Sequence, residues 1–412
     1  MCDTIAAVGP VSLDGSVLFG KNSDREFSES QYLRLIPKAH YSPGTRVQLT
    51  YREIDQARET HTVLLSKPHW IWGAEMGANS HGLVIGNEAI FSRIEAPVTD
   101  GIIGMDYLRL GLERARDVDE AIHVMTSLLR DYGQGGNCGW KRPIAYHNSF
   151  ILADLKGAKV LETVDREWVV APVKDYYAIS NAMTIGDSFQ ASSATLEARA
   201  IEAGLSCTPA PFSFRSVYED PTRTASGHYR RARAIALLSQ RSGQLQSTQF
   251  FQVLRDHEEG PSIDSLPGAR ICSHRRENPI GQTTASWVST LTPGRCVHWV
   301  TGTAAPCTGL FKPLMVELGM PYHGATPGAA EDAESLWWRH EKLRRLLDQG
   351  EESVRRAFIQ ERDALEMRFL EIMRQCPPVT DPDSRVAARR LVEACWEQGL
   401  AFESKWYDQL VS

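Results

Sequence analysis

Short apolar runs separated by turn residues constrain the fold of this chain more than any other feature of its sequence. Several of the runs are largely apolar without strict alternation, such as "DTIAAVGP", "GLVIGNEAI" and "SFILAD". A strand that is apolar on both faces must be covered on both faces, so this pattern predicts sheets buried between other layers. The pair Asp14–Gly15 favours a tight hairpin between the first two runs, because such turns need a positive φ.

Segments with a helical spacing of apolar residues interleave with these strands. The clearest are "GMDYLRLGLERAR", "DVDEAIHVMTSLLRDYG", "SGHYRRARAIALLSQ" and "STQFFQVLRDH". Asp117 begins the second of them as its N-cap, and Glu120 follows three residues later, which is the pattern of a capping box. Helices on the faces of buried sheets predict a layered α/β or α+β sandwich, and the order of the elements does not choose among such folds.

The C-terminal part of the chain differs in composition from the rest. Residues 331–412 are rich in Glu, Arg and Leu and are interrupted mainly by "CPPVTDPDS". We expect a body over residues 1–330 and a helical extension of two amphipathic helices over 331–412. The extension would pack on the body or on a partner subunit, so a homo-oligomer is consistent with the sequence.

Charge and hydropathy argue against two classes of partner. The formal net charge of -6 does not attract phosphate backbones, so we expect no nucleic-acid partner. No run approaches the roughly 20 apolar residues of a membrane helix, and no basic residue precedes "TIAAV" as in a signal peptide. We therefore expect no membrane association and a cytoplasmic location.

The distribution of cysteine and histidine predicts neither a metal site nor an organic cofactor. The eight cysteines are scattered without zinc-type spacing, the 12 histidines are dispersed, and "GQGGNCGW" is interpreted as a loop. Most of the cysteines are expected to be reduced, buried residues. His147 and His298 lie in or beside predicted strands, where we expect them to be buried and hydrogen-bonded.

Cys2 stands directly behind Met1, and removal of Met1 would change its chemistry. The exposed α-amine, with a pKa of about 7.7–8.0, could then accept the proton of the thiol, whose pKa is about 8.5. One residue would thus supply both nucleophile and base. The predicted hairpin brings "GKNSDR" back towards Cys2, so Asp24 could orient the amine and Lys21 could lower the thiol pKa. The competing interpretation of this segment is a solvated turn.

Several separated motifs resemble those of the secernins, which belong to the cysteine-dipeptidase family of N-terminal nucleophile hydrolases. They are "FGKNSDR", "PHWIWGAEMGANSHGLVIGNEAI", "GMDYLRLGLERA", "GQGG", "TGT" and "LFKP". The resemblance runs from Cys2 to about Pro313, and the N-terminal pattern is more loosely similar to bile-salt hydrolases and penicillin V acylases. It implies an α+β fold, a four-layer αββα sandwich with the nucleophile at the start of a central strand. It also implies amide hydrolysis through an acyl-thioester.

The resemblance implies catalytic roles at four positions. Cys2 matches the nucleophile, and Asp24 matches the aspartate that contacts the α-amine. Lys21 stands where the acylase relatives carry an arginine, which is a departure from the family pattern. Asn181, in "AISNAM", matches an asparagine that helps to hold the tetrahedral oxyanion.

Two further positions are implied to bind substrate. Asn87, in "IGNEAI", falls near a second oxyanion asparagine, with a register uncertain by a couple of residues. Arg230, in "HYRRAR", matches an active-site arginine, and Arg231 and Arg233 are the alternatives. An arginine there could bind the carboxylate of a dipeptide in a bidentate way.

We therefore expect an N-terminal cysteine hydrolase that cleaves dipeptides or small peptides without a cofactor. One alternative is an acylase, amidase or acyltransferase that acts on a non-peptide amide. Another is a non-catalytic, secernin-like regulatory protein. Charged anchors for both ends of a peptide would favour the dipeptidase, and an apolar groove would favour the acylase.

Overall fold

Two antiparallel sheets form the centre of the chain in this computed structural model, which describes residues 2–99, 101–206, 212–258, 266–274 and 281–411. Within these ranges the first sheet has six strands, in the spatial order β14 (Tyr176–Ile179), β1 (Cys2–Ala7), β2 (Val17–Arg25), β16 (Gln282–Thr292), β17 (Arg295–Val300) and β18 (Lys312–Leu314). The nucleophile candidate therefore lies at the start of a central strand.

The second sheet has eight strands in the described ranges. Their spatial order is β15 (Ala191–Ser192), β13 (Glu167–Pro172), β12 (Gly157–Val164), β11 (His147–Asp154), β10 (Val84–Ile90), β9 (Met76–Asn79), β8 (Val63–Pro68) and β3 (Gln31–Ile36). Two small hairpins follow β3 along the chain, and they pair β4 (Ala39–His40) with β7 (Glu59–Thr60) and β5 (Arg46–Gln48) with β6 (Glu53–Asp55).

The two sheets pack face to face through β1 and β2 on one side and β10 on the other. Thr4 of β1 donates a hydrogen bond to Glu88 of β10, and Lys21 of β2 lies 3.2 Å from the same carboxylate. A Cβ atom at Gly86 would lie 2.8 Å from side-chain atoms of Lys21 and Phe19. Glycine is therefore required where β10 approaches the first sheet.

Helices cover the outer face of each sheet. The second sheet is covered by α1 (Gly104–Arg114) and α2 (Val118–Tyr132). The first sheet is covered by α5 (Ala225–Ser239) and α6 (Ser247–Leu254). Two short helices, α3 (Leu196–Glu202) and α4 (Phe214–Tyr218), lie between these pairs in the sequence. This arrangement confirms the predicted α+β fold and its four-layer αββα sandwich. None of the helices in the described ranges combines the length and the apolar character needed to cross a bilayer.

The predicted pairing of the first two strands and the cap at Asp117 are present. The prediction of a tight turn is wrong, because the connection runs over residues 8–16 and contains a 3-10 helix at Gly9–Val11. Gly15 has a φ of 75°, and β1 and β2 pair as an antiparallel hairpin. Asp117 caps α2 by accepting from the backbone nitrogen of Glu120 at 3.0 Å. The Glu120 carboxylate returns to the backbone nitrogen of Arg116 instead of that of Asp117. The reciprocal half of the capping box is thus made one residue earlier.

The C-terminal extension contains three helices in the described ranges, so the prediction of two is wrong. They are α7 (Leu336–Gln349), α8 (Glu352–Arg374) and α9 (Pro382–Val411). The break between α7 and α8 falls at Gly350, whose backbone is extended while its nitrogen still donates to the Leu346 carbonyl. The extension contacts the body, as shown by Trp396 of α9, which donates to the Pro313 carbonyl at 2.8 Å.

The two strand histidines behave as predicted. His147 is buried and lies 2.8 Å from the Ser92 hydroxyl, and His298 is buried and lies 2.9 Å from the Ser289 hydroxyl. For both rings, burial lowers the pKa, to about 4 for His147 and to about 3 for His298. These two side chains are therefore neutral core residues at physiological pH.

The expectation that ligand-type side chains do not cluster is wrong for four residues. His257, Cys272, His274 and Cys307 place their ligand atoms within 4.8 Å of one another. They come from three segments that are distant in sequence, so no spacing motif predicts that they meet. The fold, and not the local sequence, brings them together.

Candidate active site

The hairpin of β1 and β2 determines which way each side chain near Cys2 points. Cys2 pairs with Ser23 in the register, and Thr4 pairs with Lys21. Thr4 and Lys21 face the second sheet, whereas Asp3 faces α5 on the opposite side. Because side chains alternate along a strand, Cys2 shares the inner face with Thr4.

Cys2 contacts Asp24, which the hairpin predicted beside it, and Asn181, which the family resemblance implied for the oxyanion. Its Sγ atom accepts a hydrogen bond from the backbone nitrogen of Asp24 at 3.2 Å. Its backbone nitrogen donates to the Oδ1 atom of Asn181 at 2.7 Å. Asn181 follows β14 with a φ of 51°, a conformation that asparagine tolerates better than most residues. The structure thus brings Cys2, Asp24 and Asn181 together.

The side-chain oxygen of Asn181 accepts hydrogen bonds from two nitrogen atoms. Its Oδ1 atom accepts from Cys2 and also from the Nη2 atom of Arg230, each at 2.7 Å. Its Nδ2 group donates to the Ala89 carbonyl at 2.8 Å. In this arrangement Asn181 orients the Cys2 nitrogen, and its role at an oxyanion stays a prediction.

Arg230 is fully buried and anchors the start of β1. Its Nε atom lies 3.0 Å from both carboxylate oxygens of Asp3, and its Nη1 atom lies 2.5 Å from the Gly268 carbonyl. Helix α5 can approach this region because Gly227 has no side chain, and a Cβ there would lie 2.0 Å from the Ser180 carbonyl. These contacts engage the guanidinium within the protein, so its predicted contact with substrate remains a prediction.

The structure distinguishes Arg230 from the two other arginines of "HYRRAR". Arg231 donates to the Ala178 carbonyl at 3.0 Å, and Arg233 pairs with Asp256 at 2.8 Å. Of the three, Arg230 is the one that contacts the segment around Cys2, through Asp3 and, at 3.4 Å, through the Cys2 carbonyl.

Asp24 combines one satisfied oxygen with one that has no hydrogen-bond partner among the described residues. Its Oδ1 atom accepts from the Thr283 hydroxyl at 2.6 Å, whereas its buried Oδ2 atom is unpartnered. Burial raises the pKa of Asp24 to about 6, because the ionised carboxylate loses its water. A buried, unpaired oxygen beside Cys2 is suited to accept a hydrogen bond from an α-amine.

Lys21 forms a buried ion pair with Glu88 next to the thiol. Its Nζ atom lies 3.2 Å from the Glu88 carboxylate and 2.6 Å from the Asn87 carbonyl. Burial alone would lower the pKa of Lys21, but the neighbouring Cys2 and Glu88 raise it above its ordinary value. Burial raises the pKa of Glu88, and the positive charge of Lys21 opposes that effect and keeps the carboxylate ionised.

The Cys2 thiol needs a base in order to react. Burial raises its pKa to about 12, and the charge of Lys21 offsets only part of that effect. At neutral pH such a thiol is protonated. A neutral α-amine on the same residue would be the nearest base.

Asn87 does not join the group around Cys2. Its neighbours Gly86 and Glu88 face the first sheet, so the side chain of Asn87 points to the opposite face of β10. There its Nδ2 group lies 3.5 Å from the Met105 sulfur and 3.4 Å from the Asn148 side-chain oxygen. Its predicted part in substrate binding stays a prediction that these contacts do not support.

A small apolar cluster on the side of the second sheet has Tyr146 packed against it. Its buried members are Ile71, Ile103, Met105 and Cys138, with Trp70 and Tyr146 packed against them. Burial raises the pKa of Tyr146 well above its ordinary value, and charge on Cys138 and on Cys2 acts in the same direction. Tyr146 is thus near enough to both sulfurs for their charge to act on its hydroxyl.

Sequence reasoning missed two residues that support the site. Asp3 pairs with Arg230, and Thr283 supports Asp24 from β16. An aspartate inside an otherwise apolar strand is a signal for a buried partner, so Asp3 could have been found. Thr283 carries no comparable signal, because threonine is common in strands.

Comparison with known proteins places the chain in a family. The profile described as acyl-coenzyme A:6-aminopenicillanic acid acyl-transferase matches residues 13–263, which is more than half of the chain. Conjugated bile acid hydrolase from Clostridium perfringens is 15% identical, with 76% of this chain and 92% of that chain covered and a TM-score of 0.45. Penicillin V acylase from Agrobacterium tumefaciens is 13% identical, with 76% of this chain and 86% of that chain covered and a TM-score of 0.46.

A third solved structure is the Caenorhabditis elegans orthologue of N-acylethanolamine-hydrolyzing acid amidase. It is 13% identical, with 70% of this chain and 92% of that chain covered and a TM-score of 0.37. The family match, and not these distant likenesses, carries the assignment. The chain belongs to the acyl-coenzyme A:6-aminopenicillanic acid acyl-transferase family.

Proposed function

We propose that this chain is an N-terminal cysteine hydrolase that cleaves a small amide through an acyl-thioester on Cys2. The observation that carries the proposal is the placement of the Cys2 nitrogen, 2.7 Å from Asn181 and on the residue that bears the thiol. The unpartnered Oδ2 atom of buried Asp24 supports it. The mechanism requires Cys2 to be the first residue, since an amide nitrogen is not a base.

The proposed reaction uses one nitrogen as base and then as acid. The α-amine takes the thiol proton, and the sulfur attacks the scissile carbonyl carbon. The resulting ammonium gives its proton to the leaving nitrogen, and the C–N bond breaks to leave a thioester. The same amine then takes a proton from water, whose oxygen attacks the thioester carbon. The C–S bond breaks to release the acid, and the ammonium returns the proton to the sulfur. Asn181 and Asp24 keep the amine oriented throughout.

An engaged arginine and a nearby apolar cluster favour an apolar acyl group in the substrate. Buried Arg230 is paired with Asp3. Tyr146, on which charge at Cys2 acts, packs against the apolar cluster of Ile71, Ile103, Met105 and Cys138. We therefore infer an N-acyl amide as the first candidate substrate. A dipeptide of the secernin type is the second candidate, favoured by the motifs shared with that family.

The experiment compares two substrate classes with processed and unprocessed protein. A removable N-terminal tag blocks Cys2 until a protease exposes it, and hydrolysis of N-acyl amides and of dipeptides is measured before and after cleavage. We expect turnover only after cleavage, with N-acyl amides faster, and loss of turnover in Cys2→Ala. Equal turnover by Cys2→Ala would overturn the nucleophile, and turnover of dipeptides alone would overturn the substrate inference.

Acyl transfer is separated from hydrolysis in the same assay by adding a primary amine as acceptor. An N-terminal cysteine hydrolase releases the free acid in the presence of the amine. A product in which the amine carries the acyl group would instead show an acyltransferase. Cys376→Ala is a suitable control, because it removes a different buried thiol near the C-terminal helices.

A further inference from the structure

Four side chains of metal-ligand type converge outside the site of Cys2. His257 follows α6, Cys272 and His274 precede β16, and Cys307 lies between β17 and β18. Their ligand atoms all lie within 4.8 Å of one another. We propose that these four residues, called here the His–Cys cluster, form a structural zinc site.

The distances fit tetrahedral coordination. With Zn–S bonds of about 2.3 Å and Zn–N bonds of about 2.0–2.1 Å, tetrahedral ligand atoms lie about 3.3–3.8 Å apart. The Nε2 atom of His274 lies 3.5 Å from Cys272 Sγ and 3.3 Å from Cys307 Sγ. The two Nε2 atoms of His257 and His274 are 2.8 Å apart, so this edge must open slightly to admit the ion.

Hydrogen bonding alone does not satisfy this group. The Nε2 atom of His274 carries either one proton or one lone pair in the ring plane, yet three potential partners surround it. One hydrogen bond at this nitrogen would satisfy a single partner, and the other two groups would lie close to it without a bond. A central cation would bind all four ligand atoms at once.

The charge and closure of the cluster favour zinc in a structural role. Two thiolates and two neutral imidazoles balance a divalent cation, and two cysteines with two histidines are a preferred donor set for Zn²⁺. Cys272 is fully buried and Cys307 is nearly so. Four protein ligands leave no open position for a reacting water. On binding, two S–Zn and two N–Zn bonds replace the Zn–water bonds of the hydrated ion, and the released water and the two thiol protons pass to solvent.

The segments that carry the ligands are already held in place by other contacts. The Cys272 nitrogen donates to the Asp256 carbonyl at 3.1 Å. Arg255 donates to the Pro306 carbonyl at 2.7 Å, and Arg362 donates to the Cys307 carbonyl. The cluster is therefore largely preformed, which lowers the entropy lost when the ion binds.

The His–Cys cluster is connected to the candidate active site through Thr283. The Ser273 nitrogen, between the two ligands of its segment, donates to the Thr283 hydroxyl at 3.0 Å. The same hydroxyl donates to Asp24 at 2.6 Å. Zinc would thus stabilise the segment that positions Asp24. We expect loss of the ion to reduce activity indirectly.

The test begins with the wild-type chain and the metal alone. The purified protein is stripped with a chelator under reducing conditions and titrated with Co²⁺ and then Zn²⁺. We expect one Co²⁺ per chain with the strong visible absorption of a tetrahedral site and a thiolate-to-cobalt charge-transfer band. Zn²⁺ should displace the cobalt and raise the melting temperature. A folded, reduced protein that binds neither ion would overturn the proposal.

Matched variants assign the ligands and separate the two proposals. Cys272→Ser and Cys307→Ser should weaken Zn²⁺ binding by at least 10-fold, whereas Cys395→Ala, which removes another buried thiol, should bind as the wild type does. Cys2→Ala should also bind zinc normally, so failure of one proposal leaves the other intact. A disulfide between Cys272 and Cys307 in the protein as isolated, with no metal uptake after its reduction, would overturn the zinc site.

Discussion

The backbone nitrogen of Cys2 lies 2.7 Å from the side-chain oxygen of Asn181, 179 positions further along the chain. That oxygen also accepts from Arg230 at 2.7 Å, so its position is determined from two sides. In the proposed mechanism this nitrogen is the base. A charge introduced at residue 181 should therefore change the pKa of the amine and with it the pH at which the enzyme works.

Asn181→Asp tests this control directly. A carboxylate keeps both accepting contacts and stabilises the ammonium form of the amine, so the amine pKa rises. The neutral base is then populated only at higher pH. We expect the acidic limb of the kcat/KM profile to move upward by about one pH unit or more.

The control for this variant is Asn137→Asp. Asn137 accepts from the backbone nitrogens of Gly139 and Ile144, contacts that a carboxylate keeps, and it lies in the glycine-rich loop. Its pH profile should match the wild type. An unshifted profile in folded Asn181→Asp would show that the Cys2 nitrogen is not the base.

Asp24→Asn separates catalysis from stability. The variant keeps an oxygen for Thr283 but lacks the charge that holds an ammonium, so we expect kcat to fall by about 10²-fold or more. The folded pKa of Asp24 is raised to about 6 from an ordinary value of 3.8. Its contribution to stability is therefore present below about pH 4 and is lost as the pH rises through 6.

Urea unfolding at two pH values checks the second half of this prediction. Above pH 6 the wild type contains a buried, ionised carboxylate, and Asn has none. Asp24→Asn should therefore unfold at the same or a higher urea concentration at pH 7, with less advantage at pH 4. A variant that is inactive and also much less stable at pH 7 would point to a structural role for Asp24.

The buried pair of Lys21 and Glu88 should show strong coupling. Lys21→Met leaves the Glu88 carboxyl buried without its cation, which costs about 3–5 kcal/mol when the carboxyl is ionised. Adding Glu88→Gln should restore most of the loss, because no uncompensated charge remains. The coupling is obtained from a double-mutant cycle of unfolding free energies, and additive effects would contradict it.

The surface pair of Arg46 and Asp55 is the control for that cycle. Its atoms are 2.6 Å apart, closer than those of Lys21 and Glu88, but both side chains are largely exposed. Water and salt screen such a pair. Removing either partner, or both, should leave the unfolding midpoint almost unchanged.

Trp396 should connect the stability of the C-terminal helices to that of the body. Its ring is buried, and its indole nitrogen donates to the carbonyl of Pro313, which lies in β18 of the first sheet. Trp396→Ala should lower the unfolding free energy by about 3–5 kcal/mol in a single transition. Trp396→Phe, which keeps most of the apolar area, should lose less. Two separate calorimetric transitions in the wild type would show instead that the extension unfolds independently.

The sequence of this protein predicts its local structure through the preferences of neighbouring residues. The apolar runs, the positive φ of Gly15 and the cap at Asp117 follow from these preferences, so the strands, the pairing of the first two and several helix ends could be predicted. The antiparallel pairing of β1 and β2 also brings Asp24 to Cys2, since Cys2 lies opposite Ser23. Helix breaks were less predictable, since Gly350 ends a helix that composition alone would continue.

Only the tertiary structure decided which distant side chains meet. Asn181, Arg230 and Thr283 reach the site from other elements, and the His–Cys cluster is assembled from three segments. Side-chain direction was decided there as well. Alternation along β10 turns Glu88 towards Lys21 and Asn87 away from it, and a shift of one residue in a strand exchanges the two faces. Residue types are local properties, whereas contacts between distant segments depend on how whole sheets and helices pack.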